Sequence, residues 1–427
     1  MKDTVGWIDY IPDGWNIMKF RQLITRISTG LNPRDNFKLT KDDNLYYVTI
    51  RNFKDGKLYL DDKCDRISYE SWKIIQERSD LHKGDILFAS ISKDGQAYLL
   101  KEEPASWNVN ESVFCIRVNK EYMDARYFTY EITSTRYYDD LRMDATGTTF
   151  KSIKQNNLKQ SRLLVPPISE QQAIADYLDE KCSKIDEIIA ESKASIDEYK
   201  KLKQSVIFQA VTKGLDKNIK MKATGENWLP LVPNHWKMEK GKNLLFETNF
   251  RSIDGQEELL TVSQYTGVTP RSKKNVTMFQ SESLVDYKIC EVGDIAANTM
   301  WMWAGAVGVS QYHGVISPSY NTYRQKHNDY DYVYLDYMLR IAPLVDEYAS
   351  LSTGIRASRL RLYPKQFLSI IFPVPPLNEQ KEIVAYLDEK CKKINSLISE
   401  KQFLINDLEA YKKSLIYEVV TGKRRVV

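Results

Sequence analysis

The sequence predicts an α+β protein with two globular domains, each followed by one long α-helix, and with the two helices packed together as a coiled coil. Three observations support this prediction: a gapless internal repeat, apolar residues at helical spacing within the repeat, and strand-like runs elsewhere. The 427 residues exceed one ordinary domain, and 42% hydrophobic residues allow each domain a core of its own.

The repeat defines the plan of the chain. Residues 166–172 read PPISEQQ and residues 375–381 read PPLNEQK, a shift of 375 − 166 = 209 positions. The same shift superposes YLDEKC at 177–182 on YLDEKC at 386–391. An insertion would rotate the apolar face of a helix by about 100° per residue, so a repeat without gaps is typical of helices.

Both repeated segments are predicted to be long amphipathic helices. Their apolar residues recur every three or four positions, which favours coiled-coil packing. The side chains predicted to pack in the seam between the helices are Leu178, Cys182, Ile185, Ile189 and Leu202 in the first copy and Leu387, Cys391, Ile394, Ile398 and Tyr411 in the second. The predicted boundaries are residues 1–165 for the first domain, 166–214 for its helix, 215–374 for the second domain and 375–427 for its helix.

The segments before each helix contain short runs of β-branched and aromatic residues, such as YYVTI at 46–50 and DILFASI at 85–91. Gly, Asn and Asp separate these runs, as expected for strands joined by loops. Helices are predicted near 122–142 and 331–348, and the polar stretch 215–227 is predicted to be a linker. Each segment is therefore predicted to fold as an α+β domain.

Sequence similarity between the two α+β segments is confined to short echoes. Gly84-Asp85-Ile86 recurs as Gly293-Asp294-Ile295, again at 293 − 84 = 209. Between such echoes the halves look unrelated, with LYYVTIRNFKDGKLYL in one and LLTVSQYTGVTPRSKK in the other. Repeated helices that carry divergent domains indicate two similar tasks performed on two different targets.

No residue pattern indicates catalysis or metal binding. The five cysteines and four histidines are scattered, so we expect reduced thiols and no metal site. The sequence lacks a glycine-rich loop for S-adenosylmethionine, a nucleotide-binding G-x-x-x-x-G-K-[ST] motif and a methyltransferase-type [DNS]-P-P-[YFW] motif. It also lacks a signal-peptide pattern and any apolar run near the roughly 18 residues of a membrane span, so a cytoplasmic binding protein without a membrane anchor is expected.

Basic and amide residues interleaved with Thr and Gly favour contacts with DNA phosphates and base edges. The predicted DNA-contacting residues are Thr29, Arg34, Arg51, Asn52, Lys93 and Lys151 in the first half and Arg251, Gln264, Arg271, Lys273, Asn298, Trp301, Arg356, Arg359 and Arg361 in the second. Two alternatives stay open: loop arginines and lysines often only improve solubility, and Trp301 suits a core position as well as a wedge. The net charge of +4 is low for a DNA-binding protein and implies localised patches or a more basic partner.

Three segments carry a resemblance to a known family. They are PPISEQQAIADYLDEKCSKID at 166–186, MKATGENWLPLVPNHW at 221–236 and PPLNEQKEIVAYLDEKCKKIN at 375–395. In their order and spacing the chain resembles the specificity subunit of type I restriction-modification systems. The resemblance spans the whole chain, but it is specific in the helices and junctions and sparse in the two α+β segments.

The resemblance implies a non-catalytic subunit that recognises double-stranded DNA. Each α+β segment would be a target recognition domain that reads one half of a bipartite sequence, and the helices would pack antiparallel and hold the domains apart. Adenine-N6 methylation and ATP-dependent cleavage would belong to partner modification and restriction subunits, with S-adenosylmethionine bound only by the modification subunit. The alternatives are a self-contained methyltransferase or nuclease with a cryptic site, and a coiled-coil scaffold that binds only proteins.

Overall fold

The computed structural model describes residues 11–34, 36–54, 56–92, 95–143, 152–274, 283–354 and 360–426. The chain divides into two compact units. The first unit comprises Met1–Lys193 and Phe403–Val427, and the second comprises Ala194–Gln402. Each unit therefore combines one α+β segment with a part of both long helices.

Short strands and helices make up the α+β part of the first unit. Its strands are β1 (Asn16–Lys19), β2 (Ile24–Thr29), β3 (Leu45–Val48), β4 (Phe53–Lys54), β5 (Lys57–Leu58), β6 (Asp65–Ile67), β7 (Ile86–Ala89), β8 (Ala97–Leu99), β9 (Trp107–Val109), β10 (Val113–Val118) and β11 (Arg162–Val165). Its helices are α1 (Tyr69–Ser79), α2 (Ala125–Thr133), α3 (Thr135–Met143) and α4 (Gln155–Gln160). The long helix α5 (Ile168–Lys213) follows and continues into the second unit.

A four-stranded antiparallel sheet in the order β2-β10-β7-β8 forms the centre of the first unit. A separate three-stranded sheet has the order β6-β3-β9, and its strands β3 and β9 are parallel. Strands β1 and β11 pair in antiparallel fashion and bring the start of the domain to the start of α5. The two inner strands, β7 and β10, are mostly apolar and buried, as in Ile86–Ala89, as expected where both faces of a sheet are covered.

The second unit is built from a corresponding set of elements. Its strands are β12 (Met221–Glu226), β13 (Leu229–Pro233), β14 (Lys237–Lys240), β15 (Leu245–Thr248), β16 (Leu260–Ser263), β17 (Gly267–Pro270), β18 (Lys288–Cys290), β19 (Ile295–Ala297), β20 (Val307–Val309), β21 (Gly314–Ile316), β22 (Asn321–Gln325) and β23 (Ile371–Val374). Its helices are α6 (Gly241–Leu244), α7 (Tyr332–Leu339), α8 (Ala342–Leu351) and α9 (Pro364–Phe367), followed by the long helix α10 (Leu377–Val420).

The central sheet of the second unit, β15-β22-β19-β20, has the same antiparallel order as β2-β10-β7-β8. The pair β14-β23 likewise corresponds to β1-β11. The duplication thus extends through the α+β parts, where the two sequences look unrelated. The units differ beside the central sheet, since the second unit has the two-stranded ribbons β16-β17 and β18-β21 in place of the three-stranded sheet.

Helices are present near 122–142 and 331–348 as predicted, each region as two short helices, and the break in the second region precedes Pro343, which lacks the N–H that a helix interior requires. One local sequence prediction needs correction. The predicted linker 215–227 contains β12, which pairs with β13. Its mostly polar, partly exposed residues concealed a strand, because an edge strand can hydrogen-bond through its backbone while its side chains stay in contact with solvent.

The segments of α5 and α10 in the first unit run antiparallel. Lys412 Nζ lies 2.6 Å from Asp186 Oδ1, and Lys193 Nζ lies 3.9 Å from Glu409 Oε1. Residue numbers therefore increase along one helix in the direction in which they decrease along the other. In the second unit Lys203 Nζ donates to Asn395 Oδ1 at 2.9 Å. This contact is the counterpart of Asp186–Lys412, because 395 − 186 and 412 − 203 both equal 209.

Most side chains predicted for the seam are buried: Leu178, Cys182, Ile185, Ile189, Leu387, Cys391 and Ile394. Ile398 is partly exposed. The prediction was wrong for Leu202 and Tyr411, which are 49% and 50% exposed and so do not pack in the seam. The seam instead passes through Lys203 and Lys412, the cations of the contacts described above, and one residue along a helix turns a side chain by about 100°.

Within the described ranges, no helix combines the length and apolarity needed to cross a membrane. No cluster of three His, Cys, Asp or Glu side chains is placed to hold a metal ion among the same residues. The cysteines Cys64, Cys115, Cys182, Cys290 and Cys391 are buried and form no disulfide.

Candidate nucleic-acid interface

In each unit a partly exposed arginine pairs with a buried aspartate at the central sheet. In the first unit Arg117 donates from Nε and Nη2 to the two oxygens of Asp85, both at 2.8 Å. In the second unit Arg324 binds the fully buried Asp294 in the same way at 2.7 and 2.8 Å, and the hydrogen bonds to Asp294 raise the pKa of the Arg324 guanidinium. The repeated Gly-Asp-Ile motif therefore supplies a structural anchor for the loops around the sheet.

In each unit a tyrosine hydroxyl of the α+β part forms a hydrogen bond to the C-terminal end of a long helix. Tyr127 donates its hydroxyl to Leu164 O at 3.1 Å and to Val420 O at 3.3 Å, at the end of α10. Tyr334 donates to Val211 O at 2.8 Å, near the end of α5. Each domain is thus anchored to the helix that follows the other domain in sequence, a connection that the sequence pattern did not reveal.

A tryptophan at each domain entry binds the start of the following long helix. Trp15 Nε1 donates to Glu170 Oε2 at 3.0 Å, and Trp236 Nε1 donates to Glu379 Oε2 at the same distance. His235 Nε2 lies 2.7 Å from the same oxygen of Glu379. These contacts give each domain a fixed orientation on its own helix, which a rigid reading element requires.

Four of the predicted DNA-contacting residues of the first unit are among the described residues, and they lie in separate segments. Thr29 ends β2, and its hydroxyl accepts a hydrogen bond from Arg78 at 3.4 Å. Arg34 lies in an exposed turn, and the side chain of Arg51 is 81% exposed, 3.6 Å from Asp65. The prediction needs correction at Asn52, because its amide is used within the local turn. Its Oδ1 accepts from Thr49 N, and its Nδ2 donates to Cys64 Sγ.

Three of the second unit's predicted residues, Gln264, Arg271 and Lys273, lie in or just after the β16-β17 ribbon, and Arg251 precedes the ribbon in sequence. Gln264 is exposed in the turn between the strands, and Arg271 and Lys273 lie in the 3₁₀ turn that follows β17. Lys273 Nζ sits 5.2 Å from the centre of the Tyr312 ring. Arg251 donates to Asp286 O and Oδ2 at 2.9 and 3.1 Å, which neutralises part of its charge.

The loop that follows β19 holds Asn298 and Trp301 in different roles. Asn298 is buried and donates to Tyr320 Oη at 2.9 Å while accepting from Met300 N, so it supports the loop and is not free to contact DNA. That prediction is corrected. The Trp301 side chain is 54% exposed and stacks on Trp303 with ring centres 5.7 Å apart, which places it outside the core.

The remaining predicted contacts are distributed as follows. Arg361 is exposed and pairs through its backbone with Thr353 in both directions at 3.0 Å. Four predicted contacts lie outside the described residues, namely Lys93, Lys151, Arg356 and Arg359.

Charged neighbours and burial shift the pKa of several side chains in the two units. In the first unit burial alone would raise the pKa of Asp80, but hydrogen bonds from His82 and Arg117 and the charge of Arg26 lower it below its usual range. In the second unit burial lowers the pKa of Lys274 and of Lys288. Exposed arginines such as Arg51 and Arg361 offer N–H donors and Trp301 offers an aromatic face, which suit recognition of phosphates and bases.

Comparison with known proteins identifies the family. The model of the type I restriction modification DNA specificity domain matches residues 12–198 and 273–406, which together exceed half of the chain. The chain belongs to this family. It is a DNA specificity subunit with two target recognition domains, and it assembles with other subunits of a restriction-modification complex. Catalytic activity resides in those partner subunits.

Relatives and solved structures agree over nearly the full length. The chain is 24% identical to the putative type I restriction enzyme MjaX specificity subunit of Methanocaldococcus jannaschii, over 98% of this chain and 96% of the relative. It is similar in fold to a chain from a type I restriction-modification complex, with a TM-score of 0.68, 16% identity and coverage of 97% and 100%. The HsdS subunit of Thermoanaerobacter tengcongensis matches with a TM-score of 0.51, 16% identity and coverage of 97% and 99%.

Proposed function

We propose that the specificity subunit reads one half of a bipartite duplex sequence with residues 1–165 and the other half with residues 215–374, and so directs adenine-N6 methylation or cleavage by partner modification and restriction subunits. One observation carries the proposal: the two units share the central sheet and its Asp–Arg anchor, but differ in the elements beside it. A shared frame with different reading elements suits two different half-sites. The expected compartment is the cytoplasm.

The long helices would set the number of base pairs between the half-sites. Helix α5 has 46 residues and α10 has 44, or roughly 66–69 Å each at about 1.5 Å per residue. Their antiparallel contacts repeat in both units, as in Asp186–Lys412 and Asn395–Lys203. A paired helix is stiff along its axis, so its length would be transmitted to the DNA gap as a fixed distance.

Inserting four residues into α5 is expected to lengthen the gap between the half-sites and leave their bases unchanged. The insertion adds about 6 Å, close to two base pairs at about 3.4 Å each. The measurement is a map of methylated adenines in cells that contain the full chain and its partner subunits. The same insertion at Lys217, in the loop after α5, should leave the gap unchanged. Altered bases in either half-site, or a motif in one part only, would contradict the proposal.

Exposed apolar side chains on the long helices mark the proposed docking surface for the modification subunit. In the first unit Ile188 and Tyr411 are 43% and 50% exposed, and they lie between the two ion pairs that join the helices. In the second unit Leu397 and Leu202 are 40% and 49% exposed, again 209 positions away. Apolar side chains repeated in this way suit two copies of one partner, which cover them from water.

Replacing Ile188 and Tyr411 together with aspartate is expected to weaken binding of the modification subunit by roughly tenfold or more, since each change puts a charge into an apolar contact. Co-purification of the modification subunit with the tagged full chain measures the effect. Tyr59→Asp is the matched control, because Tyr59 is 47% exposed in the same unit but lies outside the helices. Equal recovery of the partner with both variants would exclude this surface.

A further inference from the structure

An exposed turn in the second unit is fixed by several hydrogen bonds. It connects β16 to β17 and comprises residues 263–267. Its side chains point outward at Gln264 and Tyr265, and Tyr265 is 82% exposed. Ser263 Oγ accepts from Thr266 N at 3.2 Å and shares a hydrogen bond with the Thr266 hydroxyl at 2.9 Å, so the turn is closed by its own side chains.

Arg340, just after α7, clamps this turn from the body of the domain. Its Nη2 donates to Tyr265 O at 2.7 Å and to Gln264 O at 3.4 Å. Its Nη1 donates to Asp336 Oδ2 at 3.3 Å, and Asp336 Oδ1 accepts from Val309 N at 2.9 Å. Burial raises the pKa of Asp336, and the charge of Arg340 opposes that shift. The turn is thereby tied to α7 and to β20.

Two glycines bring the ribbon against the central sheet. Gly267 has a φ of +62°, a conformation that side chains rarely adopt. A Cβ on Gly308 would lie 3.1 Å from Gly267 Cα and 2.8 Å from Asp336 Oδ1, so a side chain there would push the ribbon away. Backbone contact at this point leaves the turn little freedom to tilt, and the position of Tyr265 is therefore set by the folded domain.

We infer that the β16-β17 ribbon enters the major groove of the half-site read by the second domain, with Gln264 and Tyr265 in contact with base edges and Arg340 as their positioning residue. The inference rests on the proposed function and names the reading element within it. The major groove accommodates a two-stranded ribbon, and a glutamine amide can pair with the N6 and N7 atoms of adenine. Lys274 Nζ lies 3.5 Å from Ser263 Oγ and supplies a cation beside the turn.

The first unit has no equivalent ribbon among its described residues. The chain between its strands β2 and β7 instead forms β3 and β6 of the three-stranded sheet, the short hairpin β4-β5 and α1. Substitutions in the turn should therefore affect one half-site only. A purely structural role for Arg340 would predict a loss of stability without any change in the bases preferred.

The test uses the full chain with its partner subunits and duplexes enriched from a randomised DNA pool. Tyr265→Ala is expected to weaken binding of the enriched duplex by roughly tenfold or more. Arg340→Gln is expected to reduce discrimination against single base changes in the second half-site, with the salt dependence of binding unchanged because Arg340 contacts no phosphate. Arg340→Lys keeps the charge beside Asp336 and should restore part of the discrimination.

Tyr332→Ala is the matched control, since Tyr332 is 45% exposed on α7 of the same unit. It should bind as the unmodified chain does. Wild-type discrimination by Tyr265→Ala, Gln264→Ala and Arg340→Gln would overturn the inference, and so would a salt slope lowered by about 0.9 in Arg340→Gln, which would make that residue a phosphate contact. If the unmodified complex enriches no bipartite sequence, the proposed function itself fails, and the two failures are thus distinguishable.

Discussion

Replacing Asp294 with alanine is expected to lower the free energy of unfolding by about 3 kcal/mol, near the lower end of the cost of breaking a buried ion pair. Asp294 is fully buried and accepts two hydrogen bonds from Arg324 and one from Glu291 N at 2.9 Å. Without the carboxylate, the guanidinium loses its partner and a backbone N–H loses its acceptor. The lower end applies because the Arg324 side chain is 37% exposed, so water can solvate part of its charge.

Urea unfolding of the full chain measures this effect. Asp286→Asn provides the control, since Asp286 also pairs with an arginine, Arg251, but its side chain is 72% exposed. An exposed pair of this kind is worth about 1 kcal/mol or less. Equal losses for both variants would show that the buried pair contributes no more than a surface pair, and would remove the anchor role given to the Gly-Asp-Ile motif.

Replacing Glu131 with glutamine is expected to remove a pH dependence of stability. Glu131 is fully buried in α2, and its Oε1 accepts from Leu164 N at 2.7 Å, while Oε2 has no hydrogen-bond partner. Burial raises the pKa of Glu131 well above 4.5. The carboxyl group is therefore protonated in the folded chain at pH values where the unfolded chain has lost that proton.

The direction follows from proton binding. Below about pH 4.5 both states hold the proton and the contribution to stability is complete. Above that pH the unfolded state ionises first, and the stability of the wild-type chain falls by about 1.4 kcal/mol per pH unit until the raised pKa is reached. Glutamine does not ionise, so its advantage over Glu131 should grow with pH.

Urea unfolding at pH 5, 6 and 7 for the wild-type chain and Glu131→Gln checks this prediction, because every other titrating group is common to both. The difference between the two free energies should increase with each step in pH. The second domain offers a natural comparison: the residue at the corresponding position of α7 is Met338, which is buried and has no proton to lose. A constant difference across the three pH values would show that Glu131 is ionised in the folded chain.

The helices could be predicted from sequence because their information is local. Apolar spacing at Leu178, Cys182 and Ile185 recurs at Leu387, Cys391 and Ile394, and all six side chains are buried. The errors came where two adjacent residues compete for one position. At 202–203 and 411–412 the apolar residue was assigned to the seam, but the seam holds the lysine, which can bury its aliphatic stem and still reach a polar partner.

The candidate reading elements were only partly predictable. Gln264 and Trp301 are exposed as a DNA contact requires, but Asn298 and Asn52 use their amides within their own loops. An amide in a polar loop looks the same in sequence whether it faces solvent or supports a turn. Tyr265 escaped notice because nothing near it in sequence shows that Arg340, 75 residues later, holds its carbonyl.

By itself the sequence determined the duplicated plan, the two long helices and the absence of a catalytic motif, since these depend on repeats and periodicity along the chain. Only the tertiary structure decided that the divergent segments share one sheet order, that Asp294 and Asp85 anchor those sheets, and that Tyr127 and Tyr334 bind the end of the opposite helix. Those contacts join residues up to 293 positions apart. Their partners are chosen by packing in three dimensions, which leaves no period in the sequence.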